Sequence, residues 1–293
     1  MNIVLLYYKY VQIEDTQATQ DEHKKICKFF NLLGRIIIAR EGINGTLAGL
    51  SENIQKYKLW MRKHPLFFDV EFKEHHEENN PFKKLHIKVR DEIITLKQTI
   101  DLTDLNTKRG VYLEPAALQA LIASGEEFYI VDVRNSYESA IGKFAGSIAL
   151  EMENFRDLPK AIEKISSLKD KKIVTVCTGG IRCEKASAFL LQEGFKNVYQ
   201  LHGGITKYGK TFPDDGFEGK CYVFDERICL AINTHRNQKI IAMCHHCNIS
   251  CDTYINCCNA SCNKQFICCS TCAKINKKGC SQNCQKESRF KKS

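Results

Sequence analysis

The chain has 293 residues, of which 43% are hydrophobic and 26% charged, with five prolines, sixteen cysteines and a net charge of +9. That length suits two domains, or two with a small appendage, at about 150 residues per domain, and the composition excludes a disordered, collagen-like or mucin-like chain. The apolar stretch 3–8 is too short to cross a membrane and lacks the layout of a secretory signal, so a cytoplasmic protein with no membrane partner is expected.

Residues 3–8 read as a strand, 21–33 as an amphipathic helix, and 35–39 and 46–48 as two further strands. Between the last two lies Glu41-Gly42-Ile43-Asn44-Gly45, whose Asn-Gly pair supplies the positive φ angles of a tight hairpin, which places the turn there. Ser51 is a candidate N-cap for a helix reaching about residue 64, and strands follow at 70–73 and 85–89. The order βαββαβ describes a small α+β domain over residues 1–100, with two helices on one face of an antiparallel sheet. Residues 101–112 are polar, end in Lys108-Arg109-Gly110 and lack apolar periodicity, so a linker is expected. A second domain, 113–215, opens with a helix at 115–122 whose proline sits where the first turn tolerates it. Its strands at 129–133, 173–176 and 198–201 are short unbroken apolar runs separated by helical segments, the pattern of a parallel sheet covered on both faces. Pro213-Asp214-Asp215-Gly216 punctuates the exit, and 216–293 is a basic, cysteine-rich tail.

The strand at 173–176 runs directly into Cys177-Thr178-Gly179-Gly180-Ile181-Arg182-Cys183, and a helical pattern follows. A cysteine at the carboxyl rim of a parallel strand occupies the usual ligand position of open α/β sheets. Loop amides of Thr178, Gly179, Gly180 and Ile181, the positive helix end and Arg182 would stabilise an anion and lower the thiol pKa, which makes Cys177 a candidate nucleophile. The spacing from Cys177 to Arg182 is one residue shorter than the phosphate-wrapping loop of a cysteine phosphatase, which suits sulfur better than phosphate. Asp132 and Arg134 are expected to pair and close the rim, Asn135 and Glu138 to form a capping box, and Cys183 to be either a resolving thiol or a passive neighbour.

Asp132-Val133-Arg134 with Glu138, then Gly142-Lys143-Phe144 and Gly146, the Cys177 loop, and Leu201-His202-Gly203-Gly204-Ile205 resemble a rhodanese domain, in which the loop cysteine carries a persulfide. The flanks narrow this further. Arg40-Glu41-Gly42-Ile43-Asn44-Gly45-Thr46-Leu47-Ala48-Gly49, Asn80-Pro81-Phe82-Lys83-Lys84-Leu85, the loop extended through Cys183-Glu184-Lys185-Ala186-Ser187, and Asn256-Cys257-Cys258-Asn259-Ala260-Ser261-Cys262-Asn263 resemble the bacterial tRNA uridine hydroxylase family over nearly the whole chain. The resemblance implies a multidomain α/β protein: an acylphosphatase-like, ferredoxin-like α+β domain, a central rhodanese-like α/β domain with a parallel sheet, and a Cys-rich segment. It implies oxygen-dependent conversion of the wobble uridine to 5-hydroxyuridine in the anticodon region of tRNA, with Cys177 as the catalytic cysteine acting through a persulfide, O2 as co-substrate and a reductant not named by the sequence. The paired Arg40 and Glu41 would contact either RNA or the other domain. Two rival readings stay open: a sulfurtransferase passing persulfide sulfur from Cys177 to a small acceptor or tRNA, and a redox-sensing or RNA-binding module without turnover.

Eleven cysteines fall in residues 244–284. Cys244-x2-Cys247 and Cys269-x2-Cys272 have the paired-knuckle spacing of structural zinc sites, and Cys258-x3-Cys262 and Cys280-x3-Cys284 offer further pairs. His245 and His246 are additional candidate ligands, and an iron–sulfur cluster and free thiols are the alternatives. Residues 213–293 carry 12 basic and 7 acidic side chains. Lys264, Lys274, Lys277, Lys278 and Lys291-Lys292 would meet RNA phosphates there, and Tyr254 or Phe266 would stack on a base.

Overall fold

The computed structural model describes residues 1–234 and 238–287; Lys291-Lys292 lies outside the described residues. The first layer comprises β1 (Asn2–Tyr10), α1 (Thr16–Phe29), β2 (Leu33–Ala39), β3 (Gly42–Leu50), α2 (Ser51–Lys63), β4 (Lys73–Glu77) and β5 (Leu85–Val89). The strands form one sheet in the order β4-β1-β3-β2-β5, antiparallel except where β5 runs parallel to β2. Side chains alternate along β1. Ile3, Leu5 and Tyr7 join Cys27, Ile54, Tyr57 and Met61 in a core beneath the two helices, whereas Val4, Leu6, Tyr8 and Tyr10 pack in clusters on the other face.

Three local expectations are corrected. Helix α1 begins earlier, at Thr16, because the Asp15 carboxylate accepts from the Ala18 N–H and caps it there. The hairpin turn is Arg40-Glu41, with Ala39 paired to Gly42, while Asn44 and Gly45 lie inside β3. Gly45 serves a close approach instead of a turn: a Cβ there would stand 2.3 Å from Cζ of Tyr7. Ser51 is the first residue of α2 and makes no cap, since the capping position falls on Leu50.

The second layer runs α3 (Leu102–Thr107), β6 (Val111–Leu113), α4 (Pro115–Ser124), β7 (Tyr129–Asp132), α5 (Ser136–Ser139), β8 (Gly142–Phe144), β9 (Ile148–Ala149), α6 (Leu158–Ala161), β10 (Lys172–Val176), α7 (Ile181–Gln192), β11 (Asn197–Leu201) and α8 (Gly204–Thr211). Its sheet is parallel throughout, in the order β6-β11-β10-β7-β9. Residues 101–112, read as a linker, are therefore structured: Asp101 caps α3 through the Asp104 N–H, Leu105 is fully buried, and β6 adds an edge strand to β11. One buried leucine in six residues leaves too little periodicity to be read from sequence.

Past residue 216 the chain stays tied to this layer, because β12 (Phe217–Tyr222) pairs with β8. The tail then forms β13 (Cys229–Ala231), β14 (Tyr254–Asn256), β15 (Gln265–Ile267), α9 (Ser270–Ile275) and α10 (Gln282–Lys286). Its small core mixes Tyr222, Tyr254, Phe266 and Ile267 with buried cysteines. Tyr254 and Phe266 are thus core residues, 9% and 5% exposed, and not platforms for a base. Among the described residues, no helix is long and apolar enough to cross a membrane.

Candidate active site and cysteine clusters

Cys177 follows the last residue of β10 and is fully buried. Its sulfur accepts from the Gly180 N–H at 3.1 Å, and the Cys183 thiol and N–H also point at it. Burial opposes ionisation, but Cys183, the Arg182 guanidinium and the two amides outweigh it and bring the Cys177 pKa down to about 6. Cys183 is kept protonated by burial and by the neighbouring Cys177. The site thus holds one thiolate beside one thiol, the state in which a cysteine is a nucleophile at neutral pH.

The loop keeps its shape through the elements around it. Gly180, at φ +100°, turns the chain into α7. The Ile205 and Thr206 N–H groups at the start of α8 donate to the Cys177 and Thr178 carbonyls at 2.9 and 3.1 Å. A Cβ on Gly204 would stand 2.6 Å from the Cys177 oxygen, so Gly204 is needed for this contact. His202 faces away, bonding Glu114 and Glu71.

Arg182 makes a two-pronged pair with Glu138 at 2.5 and 2.7 Å, and Thr178 also bonds that carboxylate at 3.4 Å. Burial works against the Arg182 charge and Glu138 more than restores it. Glu138 also joins Asn135 in the capping box that starts α5. Asp132 and Arg134 are joined by bonds of 2.6 to 3.1 Å, and Arg134 also donates to the Gly142 carbonyl at 2.7 Å. This pair braces the rim, and Arg134 also donates to the Glu138 carbonyl at 3.4 Å.

The Glu184-Lys185-Ala186-Ser187 extension is the dock for the first layer. Buried Glu184 accepts from the Tyr8 and Tyr112 hydroxyls at 3.0 and 2.8 Å and from Gln200 at 3.2 Å. Lys185, 2% exposed, pairs with Glu41 and Glu92, so Glu41 makes a contact between domains while Arg40 is exposed. Sequence reasoning assigned no role to Glu184 and Lys185. Their signal was adjacency: two opposite charges in a helix whose residues from Arg182 to Leu190 are all buried.

In the tail, the sulfurs of Cys244, Cys247, Cys269 and Cys272 lie within 4.8 Å of one another, as do those of Cys257, Cys262, Cys280 and Cys284. Either group could hold a metal ion. The sulfur–sulfur distances Cys247–Cys269, Cys262–Cys280 and Cys280–Cys284 are 3.8, 3.6 and 3.5 Å, close to the edge of about 3.8 Å of a tetrahedron with metal–sulfur bonds of about 2.3 Å. The pairs interleave along the chain. Two expectations are corrected: Cys257 takes the place assigned to Cys258, which lies outside both groups, and the histidines are not ligands. His245 and His246 instead bond the Cys280 and Gly279 carbonyls, both at 3.0 Å, tying one group to the other. Lys264, Lys274, Lys277 and Lys278 are exposed.

Residues 2–93 match the UPF0176 acylphosphatase like domain, 114–211 the Rhodanese-like domain and 218–285 the Rhodanase C-terminal family. A Cytophaga hutchinsonii protein named tRNA uridine(34) hydroxylase is 43% identical over 96% of this chain and 89% of its own. Proteins of the same name from Enterococcus faecalis and Bacillus licheniformis are 46% and 44% identical, each over 87% of this chain and 80% and 79% of theirs.

Proposed function

The chain belongs to the tRNA uridine(34) hydroxylase family, and from that premise we propose that it hydroxylates the wobble uridine of tRNA to 5-hydroxyuridine, with the Cys177 thiolate as the reacting group. The observation that carries this reading is the Cys177 loop, where two N–H groups, a thiol and Arg182 hold a buried sulfur as an anion. C6 of uridine is the electrophilic end of its enone. Addition of sulfur there makes C5 an enolate carbon, and loss of the C5 proton with expulsion of sulfur restores the ring after oxygen has entered. One atom of O2 enters the base and the other leaves as water, so the step consumes two electrons and two protons from a reductant other than Cys177, whose sulfur is bonded to C6 at that stage.

The partner is the anticodon loop of tRNA in the cytoplasm. An open groove of about 720 Å³ supports this placement, lined by Arg35, Lys83, Lys84 and His86 from the first layer and by Tyr222, Phe224, Asp225 and Glu226 from the start of the tail. Arg35 and His86 are register partners on β2 and β5. Phe224 also lines a small enclosed cavity beside Thr178 of the cysteine loop, so groove and loop share one wall. Each group of four cysteines would hold one zinc ion, which would supply cross-links that order the tail.

Nucleosides from tRNA of a strain lacking this protein, complemented with the Cys177→Ser variant and read by mass spectrometry, test the reading. Absence of 5-hydroxyuridine is expected. Its persistence overturns the proposal, and loss of a thiouridine instead points to sulfur transfer.

A further inference from the structure

The face of β1 that carries Leu6, Tyr8 and Tyr10 lies against the cysteine loop. Strand β4 pairs with β1 so that Lys73 stands opposite Leu6, on that same face. Three side chains of the first layer then meet three successive loop residues. Lys73 Nζ donates to the Gly179 carbonyl at 2.5 Å, the Tyr8 hydroxyl stands where a Cβ on Gly180 would approach it to 2.9 Å, and the Tyr10 hydroxyl donates to the Ile181 carbonyl at 3.3 Å. The Lys73 ammonium also lies 5.0 Å from the centre of the Tyr8 ring, which fixes its position.

The Gly179 carbonyl and the Gly180 N–H belong to one planar peptide group. Its oxygen accepts from Lys73, and its N–H donates to the Cys177 sulfur at 3.1 Å. A cation on the oxygen end draws electron density through the amide, strengthens the N–H as a donor and holds the plane in the orientation the sulfur needs. We propose that Lys73, supplied by the acylphosphatase-like domain, is a positioning residue for the Cys177 thiolate, acting through the Gly179–Gly180 peptide. The cysteine loop of the rhodanese-like domain is therefore electrostatically complete only when the first layer is docked on it. Burial pushes the Lys73 pKa down, and Cys177 is among the groups that favour its charge, so each ion supports the other.

The proposal rests on Cys177 reacting as a thiolate, and its test needs no tRNA. Full-length protein is treated briefly with iodoacetamide between pH 5 and pH 9, then digested with trypsin. Cleavage after Lys172 and Arg182 releases residues 173–182, in which Cys177 is the only cysteine. The midpoint of labelling against pH reports the Cys177 thiolate alone. Lys73→Met is expected to raise that midpoint by at least one unit, so that labelling at pH 6 falls at least about fivefold, and Lys73→Arg is expected to restore it. Glu41→Gln, which loosens the Lys185 ion pair between the layers without touching the loop, is expected to leave the midpoint in place. An unchanged midpoint in Lys73→Met overturns the proposal, and so does an equal rise in Glu41→Gln, which would assign the effect to docking in general. If Lys73→Met does not fold, Lys73→Gln carries the same comparison. Persistence of 5-hydroxyuridine in Cys177→Ser would sink the functional reading while leaving the labelling result intact.

Discussion

Glu138→Gln separates the stability of the site from its reactivity. In the native protein both Arg182 prongs end on the Glu138 carboxylate, and the two side chains are 6% and 0% exposed. The amide keeps an acceptor for the Asn135 N–H, so the cap of α5 survives. What it removes is the countercharge, which leaves a guanidinium buried without its partner. Breaking one side of such a pair costs about 3–5 kcal/mol, a large share of a total stability of about 5–15 kcal/mol, and lowers the melting temperature by on the order of 10 °C. The effect on Cys177 has the opposite sense. An anion is deleted near the sulfur while the Arg182 cation stays, so the thiolate is favoured and its pKa moves below about 6. Thermal unfolding and the pH midpoint of iodoacetamide labelling, measured on the same preparation, check both halves. A variant that melts like the wild type, or whose midpoint moves upward, refutes this account of the Arg182 pair.

The cysteine groups predict unequal neighbours. Cys257→Ser should lower bound zinc from about two ions per chain to about one and expose the tail to protease, since site energy is folding energy in such segments, whereas Cys258→Ser should retain both ions; equal metal content in the two variants contradicts the assignment. For the groove, Arg35→Glu with Lys84→Glu should weaken tRNA binding about tenfold and flatten its salt dependence by about 0.7 for each phosphate no longer neutralised. The Cys177 labelling midpoint should not move. Unchanged affinity and salt slope would remove the groove as the path of the RNA.

What could be read ahead of the structure was local. The strand, glycine loop and helix around Cys177 are contiguous in sequence, and the Asn135 and Glu138 box spans one turn, so their geometry is encoded within a few residues. Asn44-Gly45 misled because the same pair that permits a tight turn also permits the Tyr7 ring to lie against the backbone, and only the tertiary partner decides between them. Cys257 and Cys258 are adjacent and chemically identical; which one turns toward Cys262, Cys280 and Cys284 is set by the exit of the chain from β14. Lys73 had no local signature at all, since its partner carbonyl is 106 residues away.

Strand β1 is a ribbon with two clients. Ile3, Leu5 and Tyr7 answer to the helices of their own domain, and Tyr8 and Tyr10 answer to the neighbouring layer. A substitution scan along these residues should therefore beat with a period of two: loss of soluble protein at one position, then folded but chemically altered protein at the next. Within nine residues of chain, the selective pressures of folding and of reactivity alternate without separating, and neither can drift without constraining its neighbour.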